Sequence, residues 1–264
     1  MNKVIRAEFG RTINAGLIIA IAGIIFSICF DSFNDLIAGL RNGQGYVGYF
    51  FSNAAFGGMC THYMLPVFTA LPFSVSLCQE RNNKAVSYIV SREGKNRYIF
   101  AKFIVSAISG GFVAACGTVL LFLMLAMRFP IAGDEFEGAV VSDYFHEWSA
   151  VYYPQLYILT LSILAFCRGV IWSSLALCVS LYTSDFMVVF LSPFLGSYVL
   201  VRIFQIIRVP DMVRPDMILI GQVVIKSSGL TLLIAIAISL TIVTLIGAFF
   251  VGKMKEGLKS GTIY

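Results

Sequence analysis

Apolar residues in this chain gather into long runs rather than alternating with polar ones. Uncharged or nearly uncharged stretches run from Asn14 to Phe30, through a segment centred on Tyr63 to Cys78, from Phe103 to Met127, from Pro154 to Leu181, from Phe186 to Ile207 and from Leu230 to Val251. At 1.5 Å rise per residue, such runs match the ~30 Å of bilayer hydrocarbon, as helices of about 20 residues do. The pattern predicts six spans, at about 14–30, 57–78, 103–127, 154–181, 186–207 and 230–251. A transmembrane β-barrel would show strands of about 10 residues with strict alternation, which this sequence lacks. Before the first run, Val4, Ile5, Phe9 and Ile13 share one side of a helix. Lys3, Arg6 and Arg11 take the other, with Glu8 as an exception. That predicts an amphipathic helix over 1–13 lying on a membrane surface, with a frayed basic tail as the alternative. The basic start and first apolar run imitate a signal peptide. No convincing small-residue cleavage site follows Phe30, so an uncleaved first span is expected.

Composition narrows the class. Of 264 residues, 58% are hydrophobic and only 12% charged, about half the charge of an ordinary soluble domain. Six spans and their loops leave no room for a soluble enzyme domain of about 100–150 residues. The net charge of +5 matters less than its distribution. With both termini inside, the inner segments hold Lys3, Arg6, Arg11, Arg81, Lys84, Arg92, Lys95, Arg97, Lys102, Lys253, Lys255 and Lys259. The outer ones hold Arg41, Arg208, Arg214 and Lys226, with Arg128 at an outer end. This is the positive-inside bias of a multi-pass protein. The outer stretch from Phe129 to Tyr153 carries Asp134, Glu135, Glu137, Asp143 and Glu147 without a Lys or Arg. No basic stripe on a soluble fold is present to bind nucleic acid.

Catalytic signatures are missing. The sequence has no GxxxxGK[ST] phosphate loop, no HExxH and no GxSxG, so no enzyme activity, resident cofactor or metal is expected in this chain. Its two histidines are His62 and His146. His146 has no second histidine nearby to build a metal site, and His62 reads as a packing or interfacial residue. The six cysteines, Cys29, Cys60, Cys78, Cys116, Cys167 and Cys178, lie in or beside apolar runs and read as small hydrophobes. Cys29 and Cys60 fall near one membrane face, which leaves a disulfide between them open. Gly110, Gly111, Ala114 and Ala115 put small residues four apart on the third span and predict a close helix–helix contact. Tyr46, Tyr49, Phe50 and Phe51, and later Trp148, Tyr152 and Tyr153, read as interfacial belts.

Charges inside spans are the exception. Arg168 falls near the middle of the fourth run, where a charge costs about 2.5–3.5 kcal/mol on insertion scales. Two readings stand: a residue lining a translocation path, where it meets an acidic or carbonyl group on a substrate, or a structural group that staples helices through backbone carbonyls or snorkels to an interface. Asp185 lies about 25 Å along the axis, too far to pair with it. Arg202 sits closer to an outer end and can snorkel there.

The stretch from Leu65 to Lys102 carries the most information. Pro66 and Pro72 lie in the span, and Glu80-Arg81 follows at its inner end. Lys84 to Val90 is a short amphipathic piece in which Val86, Ile89 and Val90 form an apolar strip beside Tyr88. Ser91-Arg92 comes next, and Arg97-Tyr98 and Lys102 lead into the third span. Taken alone, this is either a basic loop satisfied by lipid headgroups or a helix that seats in a partner's groove. In these features, and in its six-span plan with cytoplasmic termini, the chain resembles the ABC-2 type permeases, the membrane subunits of bacterial ABC exporters. Lys84-Ala85 departs from the Gly-Thr often found there. The resemblance implies an all-α membrane domain over the whole length. It implies a coupling helix carrying Glu80, Arg81, Lys84, Val86, Tyr88, Ile89, Ser91 and Arg92, and an interfacial helix over 1–13. A partly re-entrant segment from Arg208 to Ser228 would close the outer mouth. The implied partners are two copies of a separate ATPase, which would hold ATP and Mg, and a second permease, in the bacterial cytoplasmic membrane. Cargo would be an amphipathic peptide, an antibiotic or another hydrophobic compound. The alternative is a membrane immunity or scaffold protein with no ATPase.

Overall fold

A computed structural model of the chain describes residues 2–42, 47, 50, 58–74, 76–131, 153–223, 225 and 227–260. Most of the acidic outer stretch lies outside the described residues, as do His146, Lys226, Tyr46, Tyr49, Phe51, Trp148 and Tyr152. The described residues form an all-helical fold without strands. The helices are α1 (Asn2–Thr12), α2 (Ala15–Asp31), α3 (Phe33–Asn42), α4 (Met59–Ala70), α5 (Ser76–Asn82), α6 (Val86–Glu93), α7 (Lys95–Ala126), α8 (Pro154–Val179), α9 (Phe186–Ile207), α10 (Pro215–Ile220) and α11 (Ser228–Ser260). A single 3-10 turn, Asp211–Val213, precedes α10.

Among the described residues four helices are long and apolar enough to cross a membrane: α7, α8 from Gln155, α9 and α11. A fifth is added if α1 and α2, bent by 56° at their junction, count as one broken span. The bend follows from Asn14, whose side chain accepts a hydrogen bond from Leu17 N at 3.1 Å and so starts α2 afresh.

The sixth expected span, at 57–78, is not one continuous helix. Its first residue lies outside the described residues. From Met59 the helix runs only to Ala70, and twelve residues cover about 18 Å. Pro66 lies inside it and Pro72 just beyond. Pro72 has no N–H to continue the ladder, and the chain tightens instead, with Leu71 N donating to Phe68 O at 3.3 Å and Ser76 N to Phe73 O at 2.8 Å. A separate helix, α5, begins at Ser76. In contrast, α9 matches its expected bounds and α8 stops two residues short of its own. Helices α7 and α11 run well past theirs into the basic segments, because Lys95–Lys102 and Lys253–Lys259 continue the helical register beyond the apolar core.

The centre is the α7–α8 pair. The predicted small-residue face is used here: a Cβ added at Gly169 would lie 2.5 Å from Gly110 O and 2.9 Å from Gly111 Cα, so the two backbones meet directly. One apolar core gathers Ile24, Leu65, Val113, Leu161 and Ile171. A second, at the other end, gathers Leu77, Val86, Tyr98, Leu177, Phe250 and Met254. Outward faces of α2, α7, α9 and α11 stay apolar, with Phe26, Phe112, Leu195, Ile203, Leu233 and Leu245 exposed, as helices facing hydrocarbon require. Cys29 and Cys60 are both free thiols.

Candidate functional site

Two clusters of charge interrupt the apolar interior. The first forms where α1, α5 and α7 converge. Lys102 is fully buried, and its Nζ donates to Glu80 Oε1 at 2.6 Å and to Glu8 Oε2 at 3.1 Å. Arg11 Nη1 reaches the same Glu80 oxygen at 2.6 Å and Glu8 Oε1 at 3.1 Å. Tyr98 OH donates to the other Glu80 oxygen at 2.5 Å. The ammonium of Lys102 also stands 4.8 Å from the centre of the Phe73 ring. Two carboxylates and two cations balance, as buried charge demands. The one-residue exception on the polar face of α1, Glu8, is a partner in this network. Lys102, expected where the chain re-enters the bilayer, sits a full two turns inside α7 instead.

The residues expected on a coupling helix therefore divide. Glu80 and Val86 face inward, Glu80 into the charge cluster and Val86 into the apolar core at zero exposure. Arg81 is half-buried and donates to Ser180 O at 2.9 Å and Leu181 O at 3.2 Å, capping carbonyls at the end of α8. The expected strip of Val86, Ile89 and Val90 is corrected in the same way: Val90 is buried and Ile89 half-buried. Lys84, Tyr88, Ser91 and Arg92 remain exposed. Glu80 and Val86 also belong to different helices, separated by a turn in which Lys84 adopts φ 53°. Beside this turn a groove of about 700 Å³ opens between the α1–α2 junction and α5, with Gly10, Arg11, Asn14, Pro72, Glu80 and Ile89 among its lining.

The second cluster surrounds Arg168. It is 7% exposed on α8 and makes no hydrogen bond or ion pair among the described residues. It lines two neighbouring spaces that share His62, Val201, Asp216 and Ile220 in their walls. One, of about 170 Å³, sets His62, Gln205, Arg214, Asp216 and Gln222 among apolar neighbours such as Met59, Met217 and Ile220. The other, about 140 Å³, is walled by Ile171, Trp172, Leu175, Leu200, Ile242 and Ile246. Arg214, which precedes α10, binds Asp216 at 2.7 Å and Asp211 at 3.2 Å. The hydrogen bonds that Arg214 donates to Asp216 lead in raising the Arg214 pKa above its ordinary value. His62 packs edge-on against Tyr63 at 4.8 Å. The start of α4 is fixed by Asp31, whose carboxylate accepts from Cys60 N at 2.9 Å and Thr61 N at 2.6 Å.

The reading of Arg168 as a staple does not describe this geometry, and Asp185 is engaged elsewhere, as its expected distance from Arg168 implied. Asp185 caps α9, accepting from Met187 N at 2.8 Å. Arg202 is exposed and donates to Tyr198 OH and Gln205 Oε1, each at 3.2 Å. Sequence reasoning missed His62, Asp216 and Arg214 as neighbours of Arg168, and Glu8 and Tyr98 as neighbours of Glu80. The signal was available for Glu8, an acid misplaced on a basic face, but not for contacts between distant helices.

Among the described residues the architecture is all-helical, with four to five helices able to cross a membrane and two buried charge clusters. No family model, curated protein or solved structure matches the chain.

Proposed function

We propose that this chain is the permease subunit of an ATP-driven exporter of the ABC-2 plan. In this reading α4 and α5 together complete a sixth crossing, both termini face the cytoplasm of a bacterium, and α10 turns back to close the outer mouth. A separate ATPase pair supplies ATP hydrolysis, and a second permease copy, identical or related, completes the pore.

The observation that carries the reading is how α5 and α6 are held. A pair of short consecutive helices at the basic end of the molecule is tied to α1 and α7 through Glu80, Arg11 and Lys102, and to the end of α8 through Arg81. It still presents Tyr88, 68% exposed, with Ser91 and Arg92. An inert loop needs no such anchoring. A lever does, because force applied at Tyr88 must reach the spans without being lost in local bending.

The test is co-purification with a lone ABC ATPase encoded beside this chain, together with cargo efflux. Tyr88→Asp places a charge in the contact, where an unpaired buried charge costs several kcal/mol. The variant is expected to insert normally, to lose the ATPase or to uncouple hydrolysis from efflux. Normal binding with normal efflux would remove α6 as the coupling element.

A further inference from the structure

Arg168 is the feature the permease reading leaves without a task. A guanidinium with five donors in a fixed fork is almost fully enclosed, yet no acceptor among the described residues meets it. Proteins keep a buried charge paired or do not keep it. The one acid lining the adjacent cavities, Asp216, is already engaged by Arg214 at 2.7 Å, and Asp211 is shared with the same arginine at 3.2 Å. His62 adds no negative charge. Asp211 is itself 70% exposed and lines neither space, so the charged side chains that do line them, Arg168, Arg214 and Asp216, leave one positive charge in excess.

The two spaces around Arg168 differ in chemistry. On one side Gln205, Gln222 and His62 offer polar groups in a cavity of about 170 Å³. On the other, six large apolar side chains enclose about 140 Å³, with Trp172 on the wall. A ligand that fills both needs an acidic end and an apolar body joined directly. The excess is a single charge, so a monoanion balances it where a doubly charged phosphate monoester would leave a buried negative charge. The planar fork matches the two oxygens of a carboxylate.

We infer that the cavity between α4, α8, α9 and α10 binds an amphiphile with one terminal carboxylate, whose head pairs with Arg168 and whose apolar body occupies the chamber beside Trp172. A fatty acid and the C-terminus of an apolar peptide share this chemistry. That the bound amphiphile is cargo rests on the permease reading; the binding itself does not.

The experiment uses the full chain in nanodiscs of phosphatidylcholine, without ATPase, in a Trp148→Phe background so that emission reports Trp172. Bromine quenches tryptophan at short range, so 11-bromoundecanoate is the probe. Saturable quenching is expected, and Arg168→Gln should weaken it at least about tenfold, the scale of one charge-assisted pair. Arg168→Lys keeps the charge without the fork and should fall between the two. Equilibrium dialysis of labelled undecanoate against the chain with both tryptophans gives the same comparison without the Trp148 change. A C-terminal apolar tripeptide that displaces the probe, while its amide does not, extends the site to peptides; displacement by undecanoate alone restricts it to fatty acids. The inference is overturned if 11-bromoundecanol saturates with equal affinity, if an alkyl phosphate binds more tightly than the carboxylate, or if Arg168→Gln leaves binding unchanged. Carboxylate binding without ATP-dependent efflux would keep the site and defeat the permease reading; efflux without carboxylate binding would do the reverse.

Discussion

Lys102→Met is the sharpest probe of the inner charge cluster. The native ammonium has zero exposure and holds Glu80 at 2.6 Å and Glu8 at 3.1 Å, both carboxylates themselves nearly buried. Methionine matches the volume of the lysine stem, so packing against Phe73 and Tyr98 changes little. Charge changes a great deal. Glu8, Glu80, Arg11 and Lys102 sum to zero; without Lys102 two buried carboxylates share one cation. That cation, Arg11, is 52% exposed, and its contribution is discounted for screening by water. Removing one member of a buried pair costs about 3–5 kcal/mol. Water reaching Glu80 from the groove beside α5 argues for the lower end, about 3 kcal/mol. Glu80→Gln in the same chain restores neutrality while keeping an acceptor for Tyr98. The double variant should therefore be less destabilised than the sum of the singles, with a coupling above about 1 kcal/mol. Reversible unfolding in mixed micelles, followed for wild type, both singles and the double, measures each corner. A Lys102→Met cost within about 0.5 kcal/mol, or additive singles, would show that the cluster is solvated and that the tie between α1, α5 and α7 is not energetic.

Other outcomes follow from packing and charge placement. Gly169→Ala pushes a methyl to 2.5 Å from Gly110 O, so it should cost at least about 1–3 kcal/mol in unfolding, and assembly of the α7–α8 pair should suffer. Gly252→Ala meets nothing within 4 Å on α11 and should stabilise by about 0.5–1 kcal/mol in the same assay; an equal response at the two sites would refute the close approach. In a cysteine-free background of intact cells, Glu137→Cys should react with an impermeant maleimide, whereas Lys95→Cys should react only after permeabilisation, and the opposite pattern would invert the proposed orientation.

The apolar runs at 103–127, 154–181, 186–207 and 230–251 were legible because one physical requirement, internal satisfaction of the backbone in hydrocarbon, dictates both composition and helical form. The contact at Gly110 and Gly111 was legible for a similar reason, since small residues at helical spacing leave room for a backbone. The expected span at 57–78 failed on a local effect. Hydropathy averages over a window, whereas Pro72 acts at one bond, and its prolines signalled a break that run length concealed. The inward facing of Glu80, Arg81 and Val86 was missed for a different reason. The resemblance set Glu80, Arg81 and Val86 on a coupling helix that faces a partner. Their true partners, Lys102, Ser180 and the second core, are distant in sequence or on helices whose facing cannot be read from one strand of text. Arg168 was recognisable as costly from its position alone. That Asp216 would be taken by Arg214 depends on how α10 folds back, which no periodicity announces.

The broken fourth helix links the two clusters. His62, beside Arg168, begins α4; Glu80, inside the charge cluster, belongs to α5; between them the chain turns at residues 71–74. This turn is not loose. Ser74 Oγ donates to Ser173 O at 3.0 Å and lies 3.1 Å from Ser106 Oγ, so the break is pinned to the same α7–α8 contact that Gly110 and Gly169 bring together. Ser173 is one helical turn and a residue beyond Arg168 on α8, and Ser106 is one turn beyond Lys102 on α7. A shift of α5 relative to α7 must either strain the Ser74 pin or carry α4 with it. Carrying α4 moves His62 against the face of α8 that bears Arg168. If α4 and α5 move together, the proline-directed break and the shared serine contact make a short mechanical route from the basic end of the molecule to the enclosed guanidinium. In an exporter such a route would let events at α6 alter the space around Arg168 without any large rearrangement of the α7–α8 core, whose glycine contact is too tight to slide.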